Sequence, residues 1–319
     1  MASSSVTSDS APDPVQAGIE ELRQWLGDRL QLGWATPPSS QEWAIITAHM
    51  VDAKAPGLAR RLRSLAALAQ QGFPPLFFEE LGKLWLLLES YENLAALPPA
   101  LAQEVRSQLG QTQKKAQLQQ RPGLPDLWIV LGRVRDAEST GATTLKRQRT
   151  WLWGQQQQTF ALLLDYVHHR QSLPDDKPPG SSWTGEVVFY DGALRQRALL
   201  KQAQRVPTPK LHLRAYPCLE EGLNAYAQTL AQNPWCDRIP LSLHQIQPLN
   251  AGRQLRDSSG QSLPLSPDFQ QGWQLMALSG GQPLSLFGEW DGCSYLPLAV
   301  ISPERLVSFS SCLRSCDPA

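Results

Sequence analysis

Much of what would assign this chain a chemistry is missing from it. No run approaches the roughly 18–20 consecutive apolar residues of a membrane-spanning helix. There is no Gly-rich loop ending in Lys-Ser/Thr, no Gly-x-Gly-x-x-Gly, no Gly-x-Ser-x-Gly elbow and no His-Glu-x-x-His. These are the spacings that cradle phosphates, raise a nucleophilic serine or chelate zinc. Five His and three Met leave little material for a metal enzyme. No catalytic residue, metal ligand or cofactor is therefore predicted. The segment from Met1 to Asp13 is rich in Ser, Ala and Pro, with neither an apolar centre nor basic flanks. It predicts a disordered lead-in over 1–14 rather than a signal peptide.

Cysteine and charge are equally uninformative by design. The five Cys (218, 236, 293, 312 and 316) are odd in number and scattered, which suits reduced thiols in a cytoplasm. Cys312-x-x-x-Cys316 lacks two further ligands nearby and so makes no zinc site. The 29 basic and 29 acidic side chains balance, which argues against a general attraction to nucleic acid or membrane.

What is present is pattern. A 42% hydrophobic content over 319 residues suits two ordinary cores. Asp13-Pro14 starts a helix bearing Ile19, Leu22, Trp25, Leu26 and Leu30. Ser40 opens a second with Trp43, Ile46 and Met50. Pro56 begins a third with Leu58, Leu62, Leu65 and Leu68, and Pro75 a fourth with Phe78, Leu81, Trp85, Leu88 and Tyr91. A fifth follows Pro98-Pro99 through Val105 and Leu109, turning polar over 111–120. Residues 15–120 are thus predicted to be a helical domain. Arg121-Pro-Gly-Leu-Pro125 marks the boundary.

Beyond it the period changes from helical to alternating. Leu127 to Leu131 reads as a strand, and Leu145–Trp153 with Thr159–Tyr166 as a hairpin. Trp151 and Trp153 share one of its faces and Leu152 the other. Glu186–Tyr190 is closed by an Asp191-Gly192 turn, after which Arg195–Ala203 pairs back. One helix, from Pro217 or Cys218 to Gln232, interrupts the strands. Strands are then expected at 239–247, at 254–263 around a Ser-Ser-Gly turn, and at 273–279, 284–290 and 294–300. The fold class expected is α+β: an N-terminal all-helical domain, then a mainly antiparallel β-rich domain over 126–310 with one inserted helix, and a C-terminal tail at 311–319.

Three constellations merit a functional reading. Lys146, Arg147 and Arg149 beside Trp151 and Trp153 combine phosphate contact with stacking, as single-stranded nucleic acid requires. Trp at alternate strand positions is more often core. Arg60, Arg61 and Arg63 on the third helix present a basic face suited to an acidic partner surface or a phosphate backbone. Asp165, His168 and His169, with Asp175 and Asp176 following, offer imidazole and carboxylate for acid–base or metal work. Adjacent His residues on a strand point in opposite directions, and the plainer reading is a polar strand end.

Three further stretches carry a family likeness: Met50-Val-Asp-Ala-Lys-Ala-Pro-Gly-Leu-Ala-Arg-Arg-Leu62, Arg149-Thr-Trp-Leu-Trp-Gly154, and Leu278-Ser-Gly-Gly-Gln-Pro to Gly288-Glu-Trp-Asp-Gly292. Together they resemble the region downstream of the zinc motif in bacterial SWIM zinc-finger family proteins, over about Gly18 to Pro303. Such proteins carry Cys-x-Cys followed by Cys-x-His. This sequence has no Cys-x-Cys and no His two residues after a Cys, so no zinc ligand carries over. The resemblance implies a cytoplasmic bacterial accessory protein, with AAA-type ATPase or von Willebrand A-like proteins as partners. The leading expectation is a non-enzymatic module that binds a protein. The alternatives are a nucleic-acid-associated protein, and an enzyme with a site near Asp165 and His168.

Overall fold

The computed structural model describes residues 13–34, 37–140, 143–168, 171–302, 305–309 and 311–312. The lead-in up to residue 12, His169, Cys316 and the rest of the tail from 313 lie outside the described residues. The chain divides into two compact units, Met1–Thr112 and Gln113–Ala319.

The first unit is helical: α1 (Pro14–Leu32), α2 (Ser40–Asp52), α3 (Pro56–Gln70), α4 (Pro75–Glu92) and α5 (Pro99–Leu109). Its helices start where side chains or prolines relieve the unpaired N–H groups of a first turn. The Asp13 carboxylate accepts from the Val15 N–H at 3.1 Å. Ser39 and Glu42 form a reciprocal capping box at α2. Proline occupies the first turn of α1, α3, α4 and α5. The buried stripes follow most of the expected positions on α1 to α3, with Ile19, Leu22, Leu26, Trp43, Ile46, Met50, Leu58, Leu62 and Leu65 interior; Trp25 and Leu68 are half-buried, and Leu30, in the last turn of α1, is exposed. On α4 the stripe is rotated from the expected one. Phe77, Leu81, Leu84 and Leu88 are buried, whereas Phe78 is 49% exposed. Two adjacent Phe satisfy helical spacing equally well, and packing chooses between them.

Helix α3 begins hard against the end of α5: a Cβ on Gly57 would lie 1.9 Å from the Gln108 carbonyl oxygen. Gly110, at φ 105°, ends α5 in the left-handed conformation. The polar run after it is therefore no continuation of α5. It re-forms as a separate short helix, α6 (Lys115–Gln120), within the second unit.

That unit holds two six-stranded sheets. The first comprises β1 (Leu124–Thr140), β2 (Thr143–Gly154), β3 (Thr159–His168), β4 (Ser182–Phe189) and β5 (Ala198–Val206). Their order is β3-β2-β1-β4-β5, all antiparallel, and β12 (Ser311–Cys312) joins β1 in parallel. Leu162 donates its N–H to the Gln196 carbonyl at 2.8 Å, so β3 curls round to the segment that enters β5. The inside of the curl is filled by Trp128, Val130, Leu152, Ala161, Val187, Phe189 and Ala198.

The second sheet runs β11-β10-β9-β6-β7-β8, from β6 (Ile239–Leu249), β7 (Gln254–Arg256), β8 (Ser262–Pro264), β9 (Leu284–Trp290), β10 (Tyr295–Ile301) and β11 (Leu306–Ser308). Helices α7 (Leu219–Gln232) and α8 (Gly272–Ser279) complete the unit. One face of this sheet meets the first: Phe287, Leu296 and Leu298 pack among Ile129, Leu131, Val134, Trp151, Trp153 and Leu162. Gly132 sits where β1 slips register, because a Cβ there would come within 2.6 Å of Leu298 Cβ. The opposite face, with Leu241, Leu243, Leu286, Trp290 and Tyr295, buries Leu219 of α7 and Leu275 of α8.

The α+β class is as expected, with helices first and antiparallel sheets with an inserted helix after. Two local expectations fail. Residues 273–279 form α8 rather than a strand, ended by Gly280 in the left-handed region. Its apolar run is too short for periodicity to decide between the two. Asp191-Gly192 is no tight turn, since β4 and β5 are separated by residues 190–197. Asp191 instead accepts both terminal nitrogens of Arg121, at 2.8 and 2.9 Å, and fixes the lead into β1.

Candidate functional site

Period-two alternation on β2 puts Arg147, Arg149, Trp151 and Trp153 on one face, and that face turns toward the second sheet. The Trp indoles are interior, at 0% and 2% exposure. Trp151 donates Nε1–H to Glu289 Oε1 at 2.8 Å, and Trp153 donates Nε1–H to the His212 carbonyl at 2.9 Å. Neither offers a ring to a nucleobase. Arg149 is equally enclosed. Its Nε and Nη2 donate to the two Glu289 oxygens at 2.8 and 2.9 Å, and Nη1 reaches Asp136. Arg147 grips Asp136 through two bonds of 2.8 and 2.9 Å, and Arg238 Nη1 stands 3.5 Å from Glu289 Oε2.

Burial by itself would raise the Glu289 carboxyl, but the Arg149 guanidinium, Arg238 and the Trp151 indole hold it below its ordinary 4.5. Asp136 behaves likewise: burial opposes ionisation, and Arg147 and Arg149 more than offset it. Both carboxylates thus stay charged near neutrality and have no proton to exchange there. The cluster is a salt-bridged joint between two sheets. It also explains two of the stretches that carry the family likeness. The Arg-Thr-Trp-Leu-Trp-Gly strand and the Gly-Glu-Trp-Asp-Gly strand meet through Arg149, Trp151 and Glu289, 140 residues apart. The remaining stretch, Met50 to Leu62, contains Gly57, where α3 meets the end of α5.

The three arginines of α3 are not one patch. Arg61 turns inward to Gln108 Oε1 at 2.6 Å and Glu80 at 3.5 Å, bracing α3 to its neighbours. Arg60 and Arg63 are exposed. Asp165 and His168 lie three residues apart on β3 and so project to opposite faces. Burial raises the Asp165 carboxyl, with Lys115 and Lys177 opposing and Asp176 adding to the rise. His168 is exposed, and the two do not converge. Asp175 is engaged by Arg133 and Arg135 at 2.6 and 2.8 Å. Among the described residues, no group of three His, Cys, Asp or Glu could hold a metal ion. No helix among them is long and apolar enough to cross a membrane.

A surface feature that sequence reading missed lies on the helical unit. Helices α1 and α2 frame a concavity of about 250 Å³ lined by Glu21, Gln24, Trp25, Asp28, Glu42, Ile45, Ile46 and His49. The helices pinch together at Gly18, where a Cβ would fall 2.5 Å from Ala53 Cβ. They part further along, around Trp25, which meets Trp43 edge-on at 5.1 Å. Glu21 bonds His49 at 2.5 Å toward the pinched end, and Arg29 pairs with Glu42 toward the other. Ile45 stays 48% exposed. The signal available in the sequence was an Ile placed beside, not on, the buried stripe of Trp43, Ile46 and Met50.

The first unit is by its fold a small helical bundle with an acidic-rimmed groove between α1 and α2. Residues 12–109 match the family model of the SWIM-associated four-helix bundle domain. The chain therefore carries a SWIM-associated domain, and its resemblance to SWIM zinc-finger family proteins is borne out over that segment. Neither a curated protein nor a solved structure matches the chain.

Proposed function

We propose that this chain is a non-enzymatic accessory protein of the cytoplasm that acts by binding a protein partner. The observation that carries this reading is the SWIM-associated helical bundle at residues 12–109, a module named for the company it keeps rather than for a chemistry. The groove between α1 and α2, open and floored by apolar side chains, supports it further. AAA-type ATPases and von Willebrand A-like proteins are the partner classes that the SWIM resemblance brings with it. Affinity capture with the full chain from native bacterial lysate tests the reading. One partner recovered reproducibly and in stoichiometric amount is expected; none across repeated captures overturns it.

A nucleic-acid role is the second reading, favoured by an asymmetry that the balanced total hides. Met1–Thr112 carries 12 acidic and 8 basic side chains, whereas Gln113–Ala319 carries 17 and 21. With Trp151, Trp153 and Arg149 interior and Arg147 held by Asp136, such binding would rest on phosphate contact by residues such as Lys146. It would be steeply salt-dependent and indifferent to base sequence. No mobility shift of a DNA or RNA oligonucleotide at low salt removes it.

A further inference from the structure

We infer that the α1–α2 groove is the docking site for a basic amphipathic helix of a protein partner. This rests on the interaction reading above and names its surface and its chemistry. The floor supplies the apolar element: Trp25 and Ile45 stand partly in solvent over buried Ile46, space for one leucine-sized or aromatic anchor. The walls supply charge of one sign. Glu21, Asp28 and Glu42 line the groove, and Asp28 makes no hydrogen bond or ion pair among the described residues. His49 and Arg29 engage Glu21 and Glu42 at the two ends, leaving Asp28 the lining carboxylate without a hydrogen-bond or ion-pair partner among the described residues. The excess of acidic over basic side chains across Met1–Thr112 has the same sign. Complementarity therefore calls for Lys or Arg flanking an apolar anchor, presented from one helix face as i, i+3 and i+4 positions.

The groove's own chain is a poor occupant. Residues 1–12, which precede α1, contain no Lys or Arg. The close approach at Gly18 and the Trp25–Trp43 ring contact join α1 to α2 along the groove, so docking orders little that is not already packed.

The test uses the full chain and a fluorescein-labelled helical peptide of Leu and Lys, with a Leu/Glu counterpart as control, read by fluorescence anisotropy. The Leu/Lys peptide is expected to bind and the Leu/Glu peptide not. Ile45→Ser and Asp28→Lys should each weaken binding about tenfold, the scale of losing one interface anchor. Asp52→Lys reverses the same charge at an exposed position of α2 outside the groove, and is expected to change affinity less than threefold. Circular dichroism of the three variants should match the parent. Equal loss in Asp52→Lys and Asp28→Lys would reduce the effect to bulk charge and overturn the proposal. So would dimerisation of the parent chain that Ile45→Ser abolishes, which would make the groove a contact between copies. A cellular partner captured equally by parent, Ile45→Ser and Asp28→Lys overturns this inference while leaving the interaction reading intact. Absence of any partner strikes the interaction reading itself.

Discussion

Substituting Glu289 by Gln removes one negative charge from the interior while keeping the side chain's shape. Glu289 is 1% exposed and accepts three bonds of 2.8 to 2.9 Å from Arg149 and Trp151. Breaking a buried ion pair by removing one partner costs roughly 3–5 kcal/mol, because the other charge is left desolvated. Here Arg149 keeps Asp136, which places Glu289→Gln near the lower end, about 3 kcal/mol. With a urea slope of about 2 kcal/mol/M the midpoint of the β-rich unit should fall by about 1.5 M. Near-ultraviolet circular dichroism, to which the enclosed Trp151 and Trp153 contribute, reports that transition in the full chain. The pH dependence fixes the cause. A carboxyl whose folded pKa is depressed contributes stability above its unfolded value, here 4.5, and loses it as pH falls through the folded value. Gln has nothing to titrate, so the gap between parent and variant should be full at neutrality and close in acid. A variant within about 0.5 kcal/mol of the parent at pH 7 would refute the reasoning, as would a gap that widens on acidification.

Gly57→Ala drives a methyl into the Gln108 carbonyl and should destabilise the helical unit by about 1–3 kcal/mol or more, seen as an earlier far-ultraviolet melt. Asp126→Ala unpairs the N–H groups of Gln156 and Gln157 in the turn from β2 to β3. It should cost about 1–3 kcal/mol and raise amide hydrogen exchange locally at the four-Gln turn. Asp257 caps α7 from a distant turn, accepting from the Leu219 N–H at 2.9 Å and the Gln261 N–H at 3.0 Å. Asp257→Ala should therefore cost about 1 kcal/mol, with exchange rising first at the start of α7.

How much of this was legible depends on the range of the physics involved. The helices α1, α2, α3 and α5 were readable because a 3.6-residue period is joined within one turn to a capping side chain (α1, α2) or a first-turn proline (α1, α3, α5). The split of Trp151 and Trp153 from Leu152 onto opposite faces of β2 follows from period two alone, and the structure puts them in two separate cores. Where two local signals tie, the sequence misleads. Phe77 and Phe78 compete for one stripe, and residues 273–279 suit strand or helix until packing on the second sheet decides.

The candidate sites were the least legible part, since a residue type advertises chemistry without saying which way it faces. Arg149 and the two Trp read as a binding face until Glu289, 140 residues later, turns that face inward. Arg61 reads as one of three surface cations until α5 delivers Gln108 to it. The groove carries no motif, because it is lined by residues that two separate helices bring together. Sequence alone thus determined most of the helices and strands, where helices give way to sheet, and which β2 side chains share a face, all set by neighbours along the chain. Tertiary structure decided which charges are buried and which apolar side chains remain uncovered. Those depend on desolvation by segments distant in sequence, which no local pattern encodes.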